Sequence, residues 1–383
     1  MNVKQQLCSY ETVSETDLNY DIIIHTDKLS SLQEEWDGLY KKADKPSFSQ
    51  SFAWNLCCWQ TVSMSKKEQL CCLIIRHQNV AVLILPLAVN KKYGLFSVAH
   101  CLGAISTEYS NVLIDARWNA EVLLNLALKQ LSVHHCCDAI EFTNTRADSV
   151  LYQVLKALPN KAIAGLGVAP YITLANYKDW TDYAYSVLSK SMRNNLSRRG
   201  KKLSQLGEVS FEIVGGDKPY EQVLDWLIKT KSVWASNKHL NWTPLLNEEY
   251  IACIRDIIGQ ADSEQGQMRL CVLKLDDKPI AAQLMSINQT HVEYINHAHD
   301  LEYVKESPGQ IMLQYCMQWA FERQMMVVDF RIGDTSDKRD WVSEICDIAS
   351  YDLYCNSKGS LYIFVKNALN QARIIKNKLL AAK

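Results

Sequence analysis

The stretch VVDFRIGDTSDKRDW (residues 327–341) begins as an apolar strand and ends as a polar loop. Its valine and phenylalanine residues favour a buried strand, and Gly333 marks the change to short polar side chains. Loops held at the end of a sheet strand commonly carry binding and catalytic residues. Asp329 within the strand and Lys338 in the loop are therefore the first candidate functional residues.

Asp329 is an acidic residue in an otherwise apolar strand. It shares one face of the strand with Arg331, because side chains alternate between the two faces. A carboxylate in such a place needs a partner, since burying it alone is costly. Lys338 is either that partner or the cation of a site. A structural Asp that caps nearby N–H groups explains the sequence equally well.

The composition is that of a globular protein without a general affinity for polyanions. The chain has 383 residues, which favours two domains over one, and 48% of them are hydrophobic against 22% charged. Its net charge is −1, so no overall attraction to DNA, RNA or an anionic membrane surface is expected. Any basic site must therefore be local.

Neither a membrane span nor a disulfide framework is predicted. The apolar run VAVLILPLAV (residues 80–89) has half of the ~20 residues that cross a bilayer, and residues 1–21 contain acids but no apolar core of a signal peptide. The 13 cysteines include three adjacent pairs and no C-x-x-C spacing, which is typical of reduced thiols. The expectation is a cytoplasmic protein.

Strands and helices alternate along the chain in two similar series. The first series starts at DIIIHT (residues 21–26), and an order of the same kind starts again at APYITL (169–174) without a sequence repeat. Alternating apolar strands and amphipathic helices predict the α/β fold class. The predicted domains are residues 21–165 and 166–383.

A helix start at Ser307, Pro308 and Gly309 is a candidate anion site. Pro favours the first helical turn, and a Ser before it caps free N–H groups. Such N–H groups, together with the positive end of the helix dipole, suit a pyrophosphate, and Gly309 permits its close approach. An ordinary helix start has the same sequence, so both interpretations stay open.

The segment LSKSMRNNLSRRGKKLSQLG (residues 188–207) is predicted to be a basic helix without an acidic residue. Its leucines and methionine form one apolar stripe, and Arg199 falls within that stripe. A charge on an apolar face either extends to solvent or meets an anion. Because no acid lies four residues away, an anion-seeking helix competes here with a solvated basic face. The basic residues are Lys190, Arg193, Arg198, Arg199, Lys201 and Lys202.

Histidine and nucleotide-binding motifs add no second site. His297 and His299 share a strand face, but two ligands are too few for a metal site. Residues 134–137 are two histidines and two cysteines, and adjacent side chains of this kind point apart. The spacings typical of serine hydrolases, P-loops and Rossmann folds are missing from the sequence. No metal site is predicted.

Taken in order, three C-terminal segments resemble the CelD-like acyltransferases, members of the GNAT superfamily that are related to the FemAB type. The segments are KPIAAQLMSINQTHVEYINHAHD, SPGQIMLQY and VVDFRIGDTSDKRDW, and the basic helix resembles that of the same family. In the first half, FSQSFAWNLCCW, LPLAV and STEYSNVLID are similar to the family's N-terminal half. The resemblance spans roughly residues 25–365.

The resemblance implies an α/β fold of two GNAT-like halves packed around a central cleft, with the donor site in the C-terminal half. It implies transfer of an acyl group, acetyl in the first place, from acyl-CoA to an amine or hydroxyl of a sugar or of an envelope or polysaccharide precursor. The implied CoA pyrophosphate site, without a metal, is Ser307, Pro308, Gly309 and Gln310. The implied substrate-binding residues are Arg193, Arg198, Arg199 and Gly333.

Acyl transfer requires the acceptor to lose a proton, the thioester carbonyl to be polarised and the leaving thiolate to be protonated. Asp329 is the candidate that orients or deprotonates the acceptor, and Lys338 is the candidate that stabilises negative charge. Tyr294 is the candidate proton donor to the departing sulfur. No cysteine needs to act as a nucleophile. The family commonly has Tyr immediately before the Lys, where this chain has Asp337, and this difference puts its acceptor and its activity in question.

Two other functions compete with acyl-CoA-dependent transfer. A FemAB-type transferase would use aminoacyl-tRNA, but the near-zero net charge and the lack of long basic tracts weigh against tRNA as a partner. A non-catalytic GNAT-like scaffold in exopolysaccharide assembly would be consistent with Asp337. The implied partners are a small-molecule or saccharide acceptor and envelope-biosynthesis enzymes, and DNA is not expected.

Overall fold

The computed structural model describes residues 17–103, 109–238 and 244–381. These residues form two compact units, and each unit is assembled from separate stretches of the chain. The first unit takes its described residues from 1–46, 63–166 and 348–383, and the second unit takes them from 47–62 and 167–347.

Within the described residues the chain forms thirteen strands and twelve helices. The strands are β1 (Leu18–Ile23), β2 (Gln69–His77), β3 (Val80–Lys92), β4 (Phe96–Cys101), β5 (Leu113–Ile114), β6 (Ala139–Arg146), β7 (Lys161–Thr173), β8 (Val209–Val214), β9 (Gln267–Leu275), β10 (Lys278–Ile287), β11 (His291–His299), β12 (Val327–Asp329) and β13 (Glu344–Tyr354). The helices are α1 (Thr26–Ser30), α2 (Gln33–Tyr40), α3 (Phe52–Cys58), α4 (Ala120–Val133), α5 (Val150–Ala157), α6 (Trp180–Ser186), α7 (Lys190–Leu206), α8 (Glu221–Asn237), α9 (Glu248–Gly259), α10 (Pro308–Glu322), α11 (Ser336–Arg339) and α12 (Ser357–Ala381).

The first unit is an antiparallel sheet with one parallel pair. Its strands lie in the order β1-β2-β3-β4-β6, and β13 follows β6 from residue 348 onward. Only β4 and β6 run parallel, while β5 pairs with β3 off this path. Helices α4 and α5 cover one face of the sheet, and Tyr362 and Ile363 of α12 pack against Phe96 and Val98 on the other.

The second unit repeats this strand order. Strands β8, β9, β10 and β11 are antiparallel neighbours, β11 and β12 run parallel, and β12 is antiparallel to residues 171–173 of β7. The single parallel pair therefore follows the fourth strand in both units. The α/β fold class predicted from the sequence is confirmed, and the two series of elements seen in the sequence correspond to two sheets of the same order.

The sheet of the second unit is buried on both faces. In β9, Cys271 and Leu273 face a core with helices α6, α7 and α10, whereas Leu270 and Val272 face a core with helices α3, α8 and α9. This alternation is the period of two that a strand imposes on its side chains. Because both faces are covered, the strand reads as a nearly continuous apolar run.

Two segments lie in the unit opposite to the half in which the sequence analysis placed them. Trp54, Cys57 and Cys58 of α3 pack in the core of the second unit, although residues 21–165 were assigned to the first half. Residues 348–383, assigned to the second half, belong to the first unit. The chain passes from one unit to the other within β7 and again within β13.

None of the described cysteines forms a disulfide, and most of their thiols are buried. In the described part of the chain, no helix combines the length and the apolar character needed to cross a bilayer.

A tight turn before β9 depends on a glycine. Gly266 has a φ of +114°, and a Cβ atom there would lie 2.2 Å from the carbonyl oxygen of Ile287 at the end of β10. The turn is closed by Ser263, whose hydroxyl donates to the Gly266 carbonyl at 2.7 Å. Beside it, the Gln265 side chain accepts from the N–H of Phe52 at 3.0 Å and so ties the start of α3 to this unit.

Replacing Gly266 by Ala is expected to destabilise the protein by at least about 1–3 kcal/mol, because the backbone conformation is strained for an L-residue and the added methyl group meets main-chain atoms. Urea unfolding followed by circular dichroism measures the change. Gly167→Ala is the matched control, since a Cβ atom at Gly167 would have no heavy atom within 4 Å apart from those of its chain neighbours. Equal midpoints for the two variants would contradict the role assigned to the turn.

Candidate functional site

The candidate site begins where β11 and β12 separate. The two strands pair only through residues 291–293 and 327–329, and β12 then ends while β11 continues to His299. On its other edge β11 stays paired with β10 along its whole length. Main-chain groups of residues 294–299 on the β12 side therefore have no ladder partner in the described residues, which leaves an edge of the kind that accepts an extended ligand.

A bulge in β11 lies directly beyond this separation. The register changes there by one residue, because Met285 opposes Tyr294 while Leu284 opposes Asn296. Ile295 is thus the extra residue, and bulges of this kind re-aim the side chains that follow them. The strand then carries His297 and His299 to its end.

Tyr294, the predicted proton donor, lies in the apolar core beneath α10. Its ring packs edge-on against Phe330 at 5.3 Å, and its hydroxyl is 3.9 Å from the sulfur of Met317. Only 6% of the residue is exposed, and this burial raises the pKa of the phenol well above its ordinary value. The hydroxyl is therefore protonated at neutral pH, but its contacts in this structure are apolar or sulfur groups.

Asp329 holds a left-handed turn at the end of β12. Its Oδ1 accepts from the N–H of Arg331 at 2.5 Å, and Arg331 has a φ of +61°. The guanidinium of Arg331 pairs with Glu293 of β11 at 2.9 Å, and all three residues are buried. The capping role that the sequence left open for Asp329 is thus present, and the strand predicted to continue through Arg331 ends two residues earlier.

Lys338 in α11 contacts the same turn. Its ammonium donates to the carbonyl oxygens of Ile332 at 2.6 Å and Arg331 at 3.3 Å. Gly333 has a φ of +114°, and a Cβ atom there would lie 3.5 Å from this ammonium. The sequence-predicted residues Asp329, Gly333 and Lys338 are therefore brought together at one turn.

The start of α10 approaches the end of β11. A Cβ atom at Gly309 would lie 3.4 Å from Nδ1 of His299, so the helix start and the strand end are neighbours. Ser307 has a φ of +49° and its hydroxyl donates back to Val304 at 3.4 Å, so the predicted side-chain cap is not formed. In the first turn, the N–H groups of Gln310 and Ile311 donate to the Ser307 carbonyl. The other N–H groups of this turn are left to solvent or a ligand.

Pro308 occupies the first position of α10, as predicted. The Oε1 atom of Gln310 accepts from the indole N–H of the buried Trp341 at 2.8 Å. This contact joins the first turn of α10 to the loop that follows Lys338, so the helix start and the turn at Asp329 are parts of one packed region.

The arginines of the predicted substrate-binding helix α7 have different environments. Arg193 donates to the carbonyls of Leu188 and Ala184 and lies over the ring of Tyr185 at 4.5 Å, which ties α7 to the end of α6. Arg198 donates to Asn195 within its own helix at 3.0 Å. Arg199 is half-buried, and no ion pair of Arg199 is seen with any described residue.

A shallow groove of about 480 Å³ separates α7 from α10. Its floor is apolar, and its rim carries hydroxyl, amide and ammonium groups. Residues lining it include Leu196, Gly200, Lys201, Ile311, Gln314 and Tyr315. The predicted arginines Arg193, Arg198 and Arg199 are not among its lining residues.

Two polar residues near the open edge of β11 were not assigned a role from the sequence. Lys231 of α8 donates to the main-chain oxygen of His297 at 3.3 Å and lies over the ring of Trp234 at 4.3 Å. His297 is exposed to solvent at the end of the strand. Desolvation by neighbouring protein atoms, and then the charges of Lys231, His299 and Lys338, lower the pKa of its imidazole to about 4.

His297 is therefore a neutral imidazole at physiological pH. The shared face of His297 and His299 was visible in the sequence, but the pair was considered only as metal ligands. No group of three or more potential ligands occurs in the described residues in a position to hold a metal ion. Lys231 lies 66 residues from His297 along the chain, and no local pattern indicated their contact.

One comparison with known protein families matches the part of the chain that carries the candidate site. Residues 190–339 match the family model of the acetyltransferase (GNAT) domain, a range that contains α7, α10, β11 and Lys338. No curated protein matches the chain.

Several solved structures have a similar fold. FemX aligns over 91% of this chain and 99% of its own, with 13% identity and a TM-score of 0.61. A conserved protein of unknown function from Bacteroides thetaiotaomicron aligns over 87% and 100%, with 11% identity and a TM-score of 0.52. A tandem GNAT protein from the clavulanic acid biosynthesis pathway aligns over 88% and 99%, with 8% identity and a TM-score of 0.49.

At these identities the structural matches concern the fold, and the family match concerns the part of the chain that carries the candidate site. The narrower resemblance to CelD-like proteins stays a prediction. The match of residues 190–339 to an acetyltransferase (GNAT) domain identifies the protein as a transferase, and the α/β fold of the chain is similar to that of FemX.

Proposed function

We propose that this protein transfers an acyl group, acetyl in the first place, from acyl-CoA to an amine or hydroxyl of a sugar or of an envelope or polysaccharide precursor. The observation that carries the proposal is the separation of β11 from β12 beside the start of α10. An unpaired strand edge and the positive end of a helix meet there, through the contact of His299 with Gly309.

The donor fits this arrangement in two parts. The amide groups of a pantetheine arm would pair with the open edge of β11, as an added strand does. The pyrophosphate would lie against the N–H groups at the start of α10, where Ser307 supplies no competing side-chain cap and Gly309 has no side chain. Pro308 and Gln310 would keep that turn in place.

The acceptor must be deprotonated at the same edge. His297 is the candidate base, because its imidazole is neutral and reaches solvent at the end of β11. Asp329 would act as a positioning residue, since its carboxylate is already bonded to the turn at Arg331. Of the two roles predicted for Asp329, orienting or deprotonating the acceptor, this assignment keeps the first.

Negative charge on the thioester oxygen would be stabilised by Lys338. Its ammonium donates to two main-chain carbonyl oxygens, which hold the group in place before the substrate binds. Tyr294 as donor to the departing sulfur remains a proposal, and it requires the phenol to leave its contact with Met317. Arg193, Arg198, Arg199 and Gly333 remain proposed substrate-binding residues.

A FemAB-type, aminoacyl-tRNA-dependent transfer is the second candidate. It is supported by the fold shared with FemX and by the cations of α7, because Arg199, Lys201 and Lys202 have no acidic partner in the described residues. RNA phosphates would neutralise such a helix, and binding would then fall steeply with salt.

Acyl-CoA at about 100 times its dissociation constant is expected to stabilise the protein by about 2.7 kcal/mol, seen as a rise of several degrees in the unfolding temperature. Gly309→Glu should abolish this rise, because it places a negative charge where the pyrophosphate would lie. In the absence of acyl-CoA, Gly309→Glu should unfold at the temperature of the wild type or above it, because a negative charge at a helix start interacts favourably with the helix dipole. A rise with tRNA and none with any thioester would support the FemAB-type alternative instead.

Lys338→Met is expected to lower kcat about 10²–10³-fold with little change in the KM for acyl-CoA, because a transition-state contact is lost. Release of CoA thiol in the presence of amino-sugar acceptors measures this. Arg339→Met is the matched control, since Arg339 is the next residue of α11 and forms an exposed ion pair with Asp334. If Lys338→Met and Asp329→Asn both retain the turnover of the wild type, the assignment is wrong.

His297→Asn is expected to lower kcat by about 10²-fold or more, whereas His291→Asn at the start of the same strand should not. The neutral form of His297 is the active base, so it is present above its pKa of about 4 and is lost as the pH falls through that value. The acid limb of kcat/KM in the wild type should therefore lie near pH 4–5 and be missing in His297→Asn. An acid limb near pH 6.5 would contradict the assignment.

A further inference from the structure

Lys231 is a half-buried cation without an acidic partner among the described residues. Its ammonium donates to the main-chain oxygen of His297 at 3.3 Å and lies 4.3 Å from the ring centre of Trp234. Burial lowers the pKa of this amine, and no nearby carboxylate opposes that effect. Two other half-buried lysines, Lys274 and Lys366, pair with acids.

An ammonium taken out of water is costly unless it meets a counterion. The main-chain oxygen of His297 accepts from one N–H donor of Lys231, and the indole of Trp234 covers one side of the ammonium. These contacts compensate only part of the cost. Two N–H donors are left. A ligand anion would complete the coordination of Lys231 in the way that carboxylates complete that of Lys366.

The charges around Lys231 point the same way. His297 next to it is affected by Lys231, His299 and Lys338 and by no acid. Lys231 also acts on His299, but there the acids Asp300 and Asp337 oppose its effect. Among the described residues, no carboxylate therefore opposes the positive charges that act on His297.

This positive side is separate from the proposed pyrophosphate position. Helix α8, which carries Lys231, packs on one face of the sheet, and α10 packs on the other. A single pyrophosphate cannot occupy both positions, which leaves Lys231 to a different anionic group, in the first place one of the second substrate.

We infer that the acceptor carries an oxyanion group, a phosphate or a carboxylate, which binds to Lys231 beside His297. The inference rests on the proposed transferase function and narrows its acceptor to an anionic amine or alcohol, such as an amino-sugar phosphate. The anion would hold the acceptor so that its nucleophilic group lies between His297 and Lys338. Lys231 is then a specificity-determining residue that does not take part in the chemical step.

The first test measures anion binding without turnover. Inorganic phosphate is titrated against the protein in saturating CoA, so that the start of α10 is already occupied, and the unfolding temperature is followed. The wild type should show a saturable rise. Lys231→Met should lose it, Lys231→Arg should keep it, and Lys229→Met, an exposed lysine of the same helix, should match the wild type. A phosphate response that is absent in the wild type, or unchanged in Lys231→Met, overturns the inference.

The second test compares glucosamine with glucosamine 6-phosphate as acceptors, with acetyl-CoA as donor, and carboxylated amines in a parallel arm. The wild type should prefer an anionic acceptor through a KM at least tenfold lower, and Lys231→Met should abolish that preference while retaining kcat at saturation. A preference that survives in Lys231→Met overturns the inference, and the arm with the lower KM identifies phosphate or carboxylate as the anion.

The two proposals fail in different ways. Suppose that CoA does not raise the unfolding temperature, but that phosphate binding without CoA depends on Lys231. The acyl-CoA function is then wrong and the anion site stands. If acyl-CoA binds and neutral acceptors are used as well as anionic ones, the proposed function stands and the anion site is wrong.

Discussion

The buried ion pair between Arg331 and Glu293 fixes the point at which β11 and β12 separate. It joins the last residues that the strands share, and Asp329 holds the main chain of Arg331 in a left-handed conformation directly beyond that point. Both residues are buried, so removing either charge is expected to be strongly destabilising, and the pair behaves as one structural unit. The carbonyl oxygens that receive Lys338 belong to the same turn, and the position of this cation therefore depends on the ion pair.

Groups of different electrical character meet around the open edge of β11. The start of α10 offers main-chain dipoles, Lys338 and Lys231 offer full charges held by carbonyl oxygens, and His297 offers a neutral base. Each of them is in place in the free protein, so little reorganisation is needed when charge develops on a substrate. Desolvation and the positive charges nearby together explain how His297 stays uncharged, because both disfavour the protonated imidazole.

The sequence was sufficient to predict the features that depend on neighbours along the chain. Period-two alternation predicted the strands, Pro308 predicted the start of α10, and the polar loop after β12 predicted where Asp329 and Lys338 lie. It was not sufficient for features that depend on distant contacts. The ion pair of Arg331 joins it to Glu293, 38 residues away, and the contact of Lys231 with β11 likewise joins elements that are far apart in sequence. The placement of α3 likewise depends on apolar surface that only the folded second unit provides.

The exchange of strands between the two units has a consequence for synthesis of the chain. The sheet of the first unit ends with β13, whose pairing residues follow almost the whole of the second unit in the sequence. A ribosome that has released β1 to β6 has therefore released a sheet whose β6 edge has no neighbour. Unpaired edges invite association with other chains. The nascent first unit stays exposed in this way until β13 has been made, so a truncation before β13 would affect a sheet that was synthesised much earlier.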